Sequence, residues 1–139
     1  MTGYISDGYC LDGYVKGSEK NDAGQRLWDD LEFNYRPAAR LENVKHDAEV
    51  TISLRDEYKN PECAVKAEKL ACDFVAKHVV SWNLKDSNGL DVACNSESCG
   101  RINAGLFQRL YSIIRGTQLS DVKPGKEKTP ASDEDQQKN

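Results

Sequence analysis

No apolar run in this chain approaches the ~20 residues that a membrane-spanning helix needs, so no membrane span is expected. The first ten residues, MTGYISDGYC, lack the basic start and apolar stretch of a secretory leader. A cytoplasmic setting is therefore expected. Five cysteines, Cys10, Cys63, Cys72, Cys94 and Cys99, are an odd number. Without a leader they read as reduced thiols rather than a disulfide framework. Excess basic charge is missing too: the formal net charge is -4, which argues against a nonspecific nucleic-acid binder. No GxxxxGK[ST] loop occurs, and no GxGxxG follows a strand, so no nucleotide site is expected.

What remains is a chain of 139 residues, 38% apolar and 30% charged, enough for one modest core. The expected fold is mainly α with a small β component (α+β). It comprises an extended N-terminal arm, one strand, and three helices with a short hairpin-like turn before the last. Residues 1–26 are read as a flexible Gly/Tyr-repeat arm and loop, 27–116 as the single domain, and 117–139 as a disordered polar tail.

The arm contains three five-residue units, GYISD, GYCLD and GYVKG, from Gly3 to Gly17. A period of five fits neither a strand nor a helix. Two readings stay open: an arm packing its tyrosines on its own domain, or one that orders on a partner. Leu31, Phe33 and Tyr35 alternate with polar residues and predict a half-buried strand ended by Pro37. Over 38–58 the spacing of Leu41, Val44, Ala48 and Ile52 predicts a helix with these residues on its core face. A strand around 49–54 competes, because Val50, Thr51 and Ile52 are β-branched. His46, between Lys45 and Asp47, is expected in solvent.

Asn60-Pro61-Glu62 starts the next helix. Its apolar face holds Ala64, Ala67, Leu70, Ala71, Phe74, Val75, His78 and Val79. Val80, Trp82 and Leu84 then alternate up to an Asp86-Ser87-Asn88-Gly89 turn, with Leu90 and Val92 returning as a hairpin or an extended connector. Ser96–Cys99 suits a short helical turn. Asn103 caps a last helix over 104–115, with Leu106, Leu110, Ile113 and Ile114 buried and Gly116 as its stop.

Chemistry is sparse. Cys63 and Cys72 lie nine residues apart on one helix, ~180° around it, and so diverge. Cys94 and Cys99 have no second ligand pair to complete a zinc site. The two histidines offer no cysteine a base held by a third group. The carboxylates Asp29-Asp30, Asp56-Glu57 and Asp133-Glu134-Asp135 fall in polar runs of solvated character. No catalytic residue, metal or cofactor is expected, and the chain is read as a non-enzyme.

Two stretches carry a resemblance. The first is Leu31–Pro37, LEFNYRP. The second runs from Phe74 through Val80-Ser81-Trp82-Asn83 and Gly89, then from Arg101 to Gly116. Together they cover about half the chain. They resemble small proteins of phage and prophage structural-gene clusters, closest in character to the tail assembly chaperones of long-tailed phages. The loop Val92–Ser96 departs from that pattern in lacking its proline. The resemblance implies a non-enzymatic chaperone in the host cytoplasm, with no catalytic residues to carry over. Its partners would be the tape-measure protein and the tail-tube subunits, and a homo-oligomer is compatible with it. Under this reading Tyr4, Tyr9 and Tyr14 are candidate partner contacts on physical grounds alone. The alternative is a permanent virion subunit, a head–tail connector or minor tail protein.

Overall fold

The computed structural model describes residues 9–55 and 60–125. In chain order these form β1 (Leu11–Val15), β2 (Leu31–Tyr35), α1 (Arg40–Leu54), α2 (Glu62–His78), β3 (Val79–Trp82), α3 (Ser96–Cys99) and α4 (Ala104–Arg115). The strands make one antiparallel sheet in the order β1-β2-β3. The fold is thus α+β, with three strands among the described residues where one was expected, and four helices where three were.

The additional strand β1 falls in the supposed arm. Its partners are Leu11 with Tyr35, Gly13 with Phe33, and Val15 with Leu31. Alternation is hidden in the sequence because glycine occupies an inward position. A Cβ on Gly13 would stand 2.4 Å from the Phe33 ring, so the ring of β2 fills the place a side chain of β1 would take. Tyr14 is 5% exposed, and burial of this kind belongs to a strand within the fold rather than to a loose arm.

Residues just after α4 also depart from the expected disordered tail. The Tyr14 N–H donates to the Ser120 hydroxyl at 2.7 Å, and the Asp121 N–H donates to the Tyr14 carbonyl at 2.9 Å. Asp121 accepts from the Lys16 N–H and pairs with Arg109, both at 2.9 Å, while Lys123 pairs with Glu32 at 2.7 Å. These groups cover the free edge of β1, satisfying backbone donors and acceptors that an edge strand leaves open. The sequence conceals this because the contacts are polar and most of those to the sheet span 91 residues or more. Residues 126–139 lie outside the described residues.

Val15, Leu31, Phe33 and Tyr35 of the sheet and Val79 of β3 share one core with Cys72, Phe74 and Val75 of α2, Cys99 of α3, and Leu106, Leu110, Ile113 and Ile114 of α4. The local signals for α2 and α4 operate as the spacing suggests. Asn60 Oδ1 accepts from the Glu62 N–H, and Asn103 Oδ1 from the Gly105 N–H. Gly116 closes α4 with φ at 83°, a left-handed C-terminal cap. After β3, Asp86 Oδ1 accepts from the Asn88 and Leu90 N–H groups, Gly89 turns at positive φ, and a single Lys85–Asp91 bridge continues the hairpin. No helix among the described residues is long and apolar enough to cross a membrane.

Candidate functional site

Helix α1 packs the opposite way round from the expected one. Leu41, Val44 and Ile52 are 76%, 56% and 61% exposed, and Ala48 between them is exposed too. The buried residue of the helix is His46, at 4%. Both expectations for this helix, a core-facing apolar stripe and a solvated histidine, are therefore corrected.

The cause is a polar network that holds the other face inward. Glu42 reaches back to accept from the Ala39 N–H at 2.9 Å and from Arg36 Nη1 at 3.3 Å. Its second oxygen lies 3.3 Å from His78 Nε2 and 3.8 Å from Lys77 Nζ. The next residue, Asn43, donates to the Arg115 carbonyl at 3.1 Å and accepts from Arg115 Nε at 3.0 Å. Arg115 also pairs with Asp47 at 2.6 Å. His46 Nε2 and the Tyr111 hydroxyl share a hydrogen bond at 2.6 Å, and Arg115 Nη1 donates weakly to the Tyr111 oxygen at 3.5 Å. The Phe74 ring sits 4.3 Å from each imidazole, centroid to centroid. Polar groups in such numbers cost too much to leave unpaired away from water. Their complementarity outweighs the burial of three aliphatic side chains.

Charge states follow from this packing. Burial works to raise the Glu42 carboxyl, but the Ala39 N–H, Arg36 and His78 outweigh it and hold it at about 2. Burial lowers His46, with the Arg115 charge adding to it, and burial likewise lowers His78 against the pull of the Phe74 carbonyl and Glu42. Both imidazoles are neutral at physiological pH. His78 Nδ1–H then donates to the Phe74 carbonyl at 2.8 Å. The network works as a structural lock: Glu42, Asn43, His46, Tyr111 and Arg115 are each held by a protein partner.

Beside this lock lies a groove of ≈ 760 Å³ between α1, α2 and α4. It is lined by Ala64, Ala67 and Ala71 of α2, Val50 and Leu54 of α1, and Phe107 and Tyr111 of α4, with Glu68 and Gln108 also on its lining. The small alanines let a backbone or a bulky side chain approach closely, and the larger aliphatic and aromatic residues supply apolar contact.

Cys72, Cys94 and Cys99 show the environment of inert thiols. Burial pushes up Cys72 and Cys94, and pushes Cys99 up to about 12, with Cys94 and Cys72 adding to it. That opposes the thiolate on which nucleophilic reactivity depends. Among the described residues, no group of three or more His, Cys, Asp or Glu side chains is arranged to hold a metal ion.

Of the three tyrosines expected as contacts, Tyr4 lies outside the described residues, and Tyr9 is half-buried just before β1. Tyr14 is enclosed under the 120–121 segment, and the neighbouring Asp30 carboxylate together with burial pushes its phenol up to about 12. Neither the α1 stripe nor the groove was assigned a binding role from sequence. The signal for the stripe was present, because Asn43, His46, Val50 and Leu54 repeat at the same helical spacing as the apolar set. No family model matches the chain, and neither a curated protein nor a solved structure does.

Proposed function

We propose that this chain is a non-enzymatic assembly chaperone of a phage or prophage tail, acting in the host cytoplasm and binding an apolar, helical segment of the tape-measure protein while the tail-tube subunits polymerise. The observation that supports this reading is the groove between α1, α2 and α4. Its alanines and its larger aliphatic and aromatic residues suit an amphipathic client helix, which presents anchors at i, i+3, i+4 and i+7 to such a groove. The rigid polar lock under α1 keeps Val50 and Leu54 in place, so little ordering is needed on binding.

The test is co-expression with the tape-measure protein of the same gene cluster. The wild-type chain keeps that protein soluble and co-purifies with it. Ala64→Glu with Ala104→Glu places two charges in the groove at exposed positions near helix N-termini, where acidic residues suit the helix. This variant folds and loses the client. A tape-measure protein that stays insoluble, or that co-purifies equally with the variant, contradicts the proposal. Recovery of the chain in purified particles contradicts it in favour of a permanent virion subunit.

A further inference from the structure

We propose that the outward stripe of α1 is a two-fold contact between two copies of this chain, packed as antiparallel helices centred on Ala48. This surface lies on the far side of α1 from Glu42, Asn43 and His46 and is separate from the groove. Leu41, Val44, Ala48 and Ile52 follow one another at spacings of three, four and four, and all are exposed. That is the seam of a helix pair. The smallest residue is at the middle of the seam, where a two-fold axis brings the helices closest. About that axis Val44 meets Ile52 of the second copy, and Leu41 packs on the stem of its Arg55.

Charge complementarity selects the partner. At 100° per residue Lys45 and Glu49 stand ~60° and ~100° round the helix from Ala48, on the same flank of the seam. Both are exposed, and neither joins an ion pair among the described residues. An antiparallel two-fold pair sets this flank against itself in reverse, so each Lys45 reaches Glu49 of the other copy. The stripe is therefore complementary to itself. A single helix of this length covers well under the roughly 800 Å² per partner of a standard interface, so a weak, concentration-dependent dimer is expected.

Sedimentation equilibrium of the full chain tests this, with circular dichroism to show that each variant is folded. Wild type should be a concentration-dependent dimer. Ala48→Glu should weaken it by at least roughly tenfold, the equivalent of one buried repulsive contact. Lys45→Glu and Glu49→Lys should each weaken it several-fold, and the double variant should recover wild-type affinity. A chain that stays monomeric at several hundred micromolar overturns the inference, as does a dimer indifferent to Ala48→Glu. A double variant no tighter than its single parents overturns the antiparallel register. If Ala48→Glu leaves the oligomeric state alone but releases the tape-measure protein, the stripe belongs to the client and the dimer is wrong. Loss of the client by the groove variant with the dimer intact leaves both proposals standing.

Discussion

Glu42→Gln isolates the charge that fixes α1 in its reversed orientation. The glutamine keeps the size of the side chain and an oxygen for the Ala39 N–H, and removes only the negative charge facing Arg36, Lys77 and His78. A carboxyl lowered from 4.5 to about 2 corresponds to roughly 3 kcal/mol at neutral pH. The side chain is 28% exposed, and solvent screening reduces this to about 1–2 kcal/mol. Because the folded pKa lies below the unfolded one, the stabilisation is complete above 4.5 and lost as pH falls toward 2. Urea denaturation of both proteins at several pH values reads it directly. The variant should be less stable by about 1–2 kcal/mol at pH 7, and the gap should close between pH 4.5 and 2. A gap that is independent of pH, or that persists unchanged below pH 2, refutes the assignment of Glu42 as the charged centre of the lock.

Three further outcomes are expected. His46 and His78 are held neutral by burial, so the unfolded chain binds their protons first; stability should fall as pH drops below about 6.5, and His46→Gln should flatten that slope in denaturant titrations. Leu41→Glu and Ile52→Glu should each change the unfolding free energy of the monomer by about 0.5 kcal/mol or less, whereas Leu110→Ala, in the fully buried core, should cost about 2–5 kcal/mol; equal losses would mean that α1 faces inward. Gly13→Ala should cost about 1–3 kcal/mol, because its methyl group meets the Phe33 ring at 2.4 Å, and thermal melts of the variant and of Gly13→Ala with Phe33→Leu should show partial recovery in the pair.

The elements legible in the sequence are those whose local and tertiary preferences agree. In α2 and α4 the apolar face, the asparagine caps and the terminal Gly116 point to one answer, and the structure follows them except at Ala64, which is exposed, and Leu70, which is half-buried. β2 alternates cleanly because every inward position carries a large apolar residue. β1 was unreadable because Gly13 is an inward residue whose role is to leave room for a ring on the neighbouring strand. The 119–123 segment was unreadable because its bonds to Tyr14, Lys16 and Glu32 use backbone and charged groups far away in the chain. α1 is the instructive failure. Hydrophobic periodicity identified the helix and assigned it the wrong face, because Glu42, Asn43 and His46 find Arg36, Arg115 and Tyr111 only in the folded chain. The same reversal leaves apolar surface uncovered on α1, so the binding surface was as illegible as the rotation that creates it.

The most direct test of the binding account is a hydrogen-exchange footprint of the full chain with and without the tape-measure protein. The account predicts added protection in two segments, 64–71 of α2 and 104–111 of α4, which line the groove. Protection confined to the sheet, with both segments unchanged, would contradict it.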